Sequence, residues 1–99
     1  MEYEKPSKKG FTIYTKSGCP GCLKVKTLLK ERNPRIIDCD EFLLDDRDNF
    51  KTFISNLTRA KKTVFPFVFY EGKYIGGYEE TCDVYNNIGI DLDEIFQHE

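Results

Sequence analysis

The sequence predicts an α/β protein: a four-stranded mixed sheet flanked by helices, in the order β-α-β-α-β-β-α, followed by a short C-terminal helix. Three observations carry this prediction. Phe11-Thr12-Ile13-Tyr14 is a β-branched and aromatic run that suits a strand, and a helical pattern follows it closely. Phe50, Phe53, Ile54 and Leu57 recur at i, i+3, i+4 and i+7, an apolar stripe along a helix. Val64 to Tyr70 and Lys73-Tyr74-Ile75 flank a Glu71-Gly72 turn signal, which reads as a hairpin. The opening β-α-β unit implies a parallel pair with a right-handed crossover, and the hairpin adds antiparallel strands.

Taken in order, residues 1–9 are polar and read as a flexible arm, and residues 10–99 as one domain. Thr15 to Gly18 forms a turn. Pro20 suits the first helical position, where its missing N–H costs nothing, and this places Cys19 at the helix N-cap. Val25, Leu28 and Leu29 face one way and lysines the other, until Asn33-Pro34 ends the helix. Arg35 to Cys39 is the second strand. An acidic segment follows, in which Asp45 or Asp46 is the expected cap of the Phe50 helix. Pro66 is confined to the beginning of its strand or to a bulge. Gly76-Gly77 breaks the last strand, and residues 79–88 read as a helix with Cys82, Tyr85 and Ile88 on one face. Asn87 and Gly89 suit its end, and Leu92, Ile95 and Phe96 suggest the final helix.

With 99 residues and a net charge of −2, the chain is one small domain with no electrostatic case for nucleic-acid binding. The N-terminal residues show no signal-peptide pattern, and no run is long enough to span a membrane. A soluble, cytoplasmic monomer is the expectation. In a reducing compartment, a close cysteine pair points to catalysis or metal binding.

That pair is Cys19 and Cys22, in Lys16-Ser17-Gly18-Cys19-Pro20-Gly21-Cys22. The thiolate is the nucleophile of disulfide exchange, and a helix N-terminus favours negative charge. Cys19 sits at that point with Lys16 nearby, whereas Cys22 lies deeper in the first turn. The asymmetry suits an attacking and a resolving thiol. Zinc binding is the alternative. It needs two more ligands, and Cys39, Cys82 and His98 are widely scattered. Cys39 and Cys82 read as small buried hydrophobes, with a regulatory disulfide open to Cys82 if it is exposed. His98 reads as exposed and idle.

The active-site run, with Phe65-Pro66 and Ile75-Gly76-Gly77 behind it, resembles the glutaredoxins from about Phe11 to Phe96. The resemblance implies a thioredoxin-like fold and glutathione-dependent reduction of protein disulfides and glutathione mixed disulfides. Cys19 is then the nucleophile and Cys22 the resolving cysteine. Lys16 faces the thiolate and a glutathione carboxylate. Pro66 is the family's cis-proline, and Phe65 offers backbone groups to the cysteinyl part of glutathione. Gly77, Tyr78, Glu79 and Glu80 match the segment that binds the γ-glutamyl end. Lys61 or Lys62 supplies a second cation.

The sequence departs from the family in three places that bear on the site. Pro20-Gly21 stands where Pro-Tyr is usual, and Thr63-Val64-Phe65-Pro66 stands where Thr-Val-Pro is common. Tyr78-Glu79-Glu80 is also bulkier than usual. No metal is expected, but some family members hold an iron–sulfur cluster between two subunits, which is the alternative function. A thioredoxin-type reductant is another. The expected partners are glutathione and disulfide-containing or glutathionylated proteins, with no nucleic acid and no membrane.

Overall fold

A computed structural model describes residues 3–59 and 64–86. The expected final helix, the helix-end residues Asn87 and Gly89, and Ile88, Lys61, Lys62, Thr63 and His98 lie outside the described residues.

Strand β1 (Phe11–Thr15) leads into helix α1 (Pro20–Leu28), a 3-10 turn at Lys30–Arg32 and strand β2 (Arg35–Asp38). Helices α2 (Asp40–Asp45) and α3 (Arg47–Thr58) follow, then the hairpin β3 (Phe67–Tyr70) and β4 (Lys73–Gly76). A last described helix, α4, runs over 78–86. The sheet order is β2-β1-β3-β4, with β1 parallel to β2 and the other pairs antiparallel. This is the thioredoxin-like fold the sequence leads one to expect. The Glu71-Gly72 turn has φ of 52° and 83°, the positive pair that a two-residue hairpin favours.

Both faces of the sheet are covered, because side chains alternate along each strand. Tyr14, Ile37, Phe67 and Phe69 pack with Phe50 and Ile54 of α3. Phe11, Ile13 and Val68 pack with Val25 and Leu29 on the α1 side, where Tyr78 and Tyr85 of α4 close the layer. The buried residue of α4 is Thr81, not Cys82, which is half-buried. Its hydroxyl donates to the Gly77 carbonyl at 2.6 Å, which satisfies a polar group in an apolar layer.

Two local expectations are corrected. The acidic segment contains α2: Asp40 and Glu41 sit in its first turn, where the helix dipole favours them, and Phe42 and Leu43 pack on the core. Asp46 occupies the N-cap of α3, but its side chain makes no capping bond. It accepts instead from Asn49, at 2.8 Å, and from the Tyr3 hydroxyl. The described part of the arm, residues 3–9, also contacts the domain. The Tyr3 ring lies 5.2 Å from Phe42 and 5.5 Å from Phe50, both edge-on. The Tyr14 hydroxyl donates to the Glu4 carbonyl at 2.6 Å, and Arg35 pairs with Glu4 at 2.9 Å. A polar segment can dock through one aromatic anchor and the backbone, which composition does not reveal.

Candidate active site

Cys19 ends the turn after β1 with an extended backbone, φ −120° and ψ 100°, and caps α1. Its carbonyl accepts from the N–H groups of Cys22 and Leu23, at 3.1 and 3.3 Å, and its sulfur accepts from the Cys22 N–H at 3.2 Å. Pro20 occupies N1, so the helix starts at the reactive residue itself. The first turn carries no acidic residue to compete for its N–H groups. Cys19 and Cys22 are joined in a disulfide with Cα atoms 5.2 Å apart. Cys19 keeps 9% of its surface exposed and Cys22 only 1%, so the N-cap sulfur is the accessible one.

Two grooves flank this turn. The first, of about 500 Å³, is lined by Lys16, Ser17, Cys19, Leu23, Lys26 and Asp38, among others. The second, of about 350 Å³, is lined by Gly21, Phe65, Pro66, Gly77, Tyr78 and Glu79, with Lys24 and Glu80 at its edge. Both fall in the size range of small-molecule sites. Lys16 links them: it is exposed, and its ammonium lies 5.5 Å from the centre of the Phe65 ring. Phe65–Pro66 is a cis peptide bond.

Gly21 brings the helix start against this proline. A Cβ there would lie 3.1 Å from Pro66 Cδ, closer than ordinary packing allows. Gly76 is required more strictly. Its φ is +141°, and a Cβ would lie 2.7 Å from the Glu80 side chain. Glu80 turns back so that Oε1 accepts from the Gly77 N–H at 2.7 Å, the reciprocal half of a capping box at the start of α4.

The other cysteines stand apart from this chemistry. Cys39 is buried, its thiol contacts the Ile37 carbonyl at 3.5 Å, and burial, with Asp38 beside it, pushes its pKa up to about 12. Cys82 is hydrogen-bonded to the Tyr78 hydroxyl, and that bond raises the pKa of the tyrosine. Among the described residues, no group of three or more His, Cys, Asp or Glu is placed to hold a metal ion. No described helix is long and apolar enough to cross a membrane.

The family model for glutaredoxin matches residues 11–75. The chain belongs to the glutaredoxin family. Glutaredoxin-C4 of Arabidopsis thaliana is 34% identical over 77 residues, covering 76% of this chain and 54% of that protein. The chain thus spans about half the length of the first plant relatives it matches. Glutaredoxin 1 from Francisella tularensis superposes with a TM-score of 0.61 at 25% identity, over 80% of this chain and 94% of that one. A buckwheat glutaredoxin solved with glutathione superposes with a TM-score of 0.62 at 22% identity, over 82% of this chain and 72% of that one.

Within this glutaredoxin fold, the sequence-predicted residues divide by groove. Lys16 and Cys19 share the first, and Phe65, Pro66, Gly77, Tyr78 and Glu79 share the second. Three neighbours escaped the sequence reading. Lys24 lies in the second groove, its ammonium 5.5 Å from the Tyr78 ring centre, and a helical lysine two residues after Cys22 was the available signal. Leu23, 66% exposed, forms an apolar lip beside Cys22. Asp40 holds Ser17 from the start of α2, and no local pattern announces that contact.

Proposed function

We propose that the chain is a dithiol oxidoreductase that uses glutathione to reduce protein disulfides and glutathione mixed disulfides. The observation that carries this reading is the Cys19–Cys22 disulfide at the N-terminus of α1, beside the groove of Pro66 and Gly77. In the reduced protein, the Cys19 thiolate attacks the glutathione sulfur of a mixed disulfide. The S–S bond breaks, and the protein thiol leaves as a thiolate that takes a proton from water. The Cys19–glutathione disulfide then has two exits. A second glutathione thiolate displaces Cys19 and yields oxidised glutathione. Alternatively, the Cys22 thiolate displaces glutathione and leaves the Cys19–Cys22 disulfide, which two glutathione molecules reduce.

Glutathione is an anionic, extended tripeptide, and the second groove, with Lys16 where the two grooves meet, supports it at several points. Lys16 reaches one carboxylate. Phe65, before Pro66, offers its backbone N–H and carbonyl to the cysteinyl residue. The Gly77 N–H is already engaged by Glu80. In this reading the γ-glutamyl carboxylate therefore meets the next N–H groups of the α4 first turn, at Tyr78 and Glu79. Lys61 and Lys62 remain candidates for a second cation, and Lys24 joins them.

The test is glutathione-coupled reduction of a small mixed disulfide and of a protein disulfide. Cys19→Ser is expected to lose both activities. Cys22→Ser is expected to keep glutathione transfer and lose dithiol reduction. Full activity of Cys19→Ser would overturn the assignment. Reduction by a flavoenzyme thioredoxin reductase in place of glutathione would select the thioredoxin reading, and a brown iron-loaded dimer after anaerobic reconstitution would select the cluster-binding one.

A further inference from the structure

The turn that carries Lys16 is tied down by residues far from it in sequence. The Cys39 N–H donates to the Thr15 carbonyl at 2.8 Å, extending the β1–β2 pairing past the strand ends. One residue on, the Asp40 carboxylate accepts from the Ser17 N–H at 2.8 Å and from the Ser17 hydroxyl. Asp40 is anchored in turn, because its own N–H donates to the Asp38 carboxylate at 2.9 Å. Thr15 and Ser17 are thus both fastened to the β2–α2 junction. Lys16, between them, reaches the other way to the Phe65 ring. Gly18, at φ +67°, then turns the chain into Cys19.

We infer that Asp40 is a positioning residue for Cys19: its clamp on Ser17 sets the Lys16–Gly18 turn and so holds the lysine ammonium and the α1 N-cap in their working arrangement. This rests on Cys19 being the attacking thiol. Both hydrogen bonds go to an ionised acceptor, which makes them stronger than neutral ones. The Asp40 carboxyl lies below the usual carboxylate range, first because of the Ser17 hydroxyl and N–H and then because of Lys16 and Lys26. It stays charged throughout the neutral range.

The charge and the clamp act in opposite directions on Cys19. A bare negative charge near the N-cap, added to that of Asp38 in the groove beside Cys19, disfavours a thiolate and offsets Lys16 and Lys26. A clamp that keeps Lys16 in place favours it. The sign of the effect of removing Asp40 therefore separates the two roles.

The experiment is the pH profile of iodoacetamide alkylation of the fully reduced protein, followed at Cys19 by peptide mass. Asp40→Ala is expected to raise the midpoint by roughly half a unit or more, about a threefold loss of thiolate below it. Asp40→Asn keeps an oxygen that accepts from the Ser17 N–H and is expected to recover most of the loss. Ser17→Ala removes only the hydroxyl bond and is expected to shift the midpoint the same way by less. An unchanged or lowered midpoint in Asp40→Ala overturns the proposal, as does an Asp40→Asn variant no better than Asp40→Ala. If Asp40→Ala does not fold, Ser17→Ala decides, and an unshifted profile there overturns it. No glutathione enters the measurement, so the result stands apart from the choice of electron donor.

Discussion

The disulfide sits at the start of α1, and the starts of α1 and α4 line one groove but treat their N–H groups in opposite ways. At α1 the cap is a cysteine, Pro20 follows, and the first turn holds no acid. Among the described residues, the only side-chain acceptor there is the Cys19 sulfur itself. At α4 a carboxylate of the same helix, Glu80, folds back onto the Gly77 N–H. A helix start carries partial positive charge in either case. At α1 that charge is available to a thiolate, whereas at α4 the first donor is already satisfied by the helix's own glutamate. The difference teaches that the protein keeps one helix terminus reactive and makes its neighbour a stable frame.

Breaking the frame is expected to have the largest effect on stability. Gly76→Ala places a Cβ at φ +141° and 2.7 Å from Glu80. Strain of this kind costs about 1–3 kcal/mol, visible as a lower urea midpoint at unchanged m-value. Glu80→Ala removes the returning carboxylate and leaves the glycines relaxed. It is expected to cost about 1 kcal/mol in the same measurement, in the range of a lost cap. Were both variants as stable as the parent, the start of α4 would not be the rigid element described.

Making α1 resemble α4 tests the other side. Leu23→Glu puts an acid near the open helix start at an exposed position. A screened charge about one turn from the thiolate is worth roughly 0.5 kcal/mol, or about a twofold loss of Cys19 thiolate at neutral pH. Alkylation rates across pH would show it, and a faster-reacting variant would contradict the role given to the acid-free turn.

The smallest effect concerns a third helix start, at α3, where Asp46 is diverted from capping. Its carboxyl is held below the usual range, first by the Tyr3 hydroxyl and then by Asn49. A depressed folded pKa contributes stability above the unfolded value near 4, lost as pH falls through the folded value. Tyr3→Phe is therefore expected to destabilise slightly at pH 7 and to converge with the parent in acid. Urea midpoints at pH 7 and about pH 2 check this, and a gap that widened in acid would contradict it.

Several parts of the site were legible because they are local. Pro20 after Cys19 marks a helix start from the backbone chemistry of proline alone, and the Phe50–Leu57 stripe marks a buried helix face from spacing alone. The Gly77–Glu80 cap is local too, a turn-opening residue followed three positions later by glutamate. The same residues match the family's ligand-binding segment, so the local pattern alone does not assign the Glu80 carboxylate to its own helix. Thr81 was missed because a hydroxyl that bonds within its own helix can be buried where an apolar residue is expected.

By itself, then, the sequence determined the order of the strands and of α1, α3 and α4, but not the presence of α2, together with the N-cap placement of Cys19 and the family. Each depends on neighbours within a turn or on a periodic pattern, and such interactions are specified by residues close in the chain. Only the tertiary structure decided which partners meet across it: Tyr3 with Asp46, Asp40 with Ser17, Gly21 with Pro66 and Lys24 with Tyr78. The physical reason is that a carboxylate or lysine carries the same chemistry at every surface position. Its role depends on what the packed sheet and helices bring within about 3 Å for a hydrogen bond or about 6 Å for a ring contact.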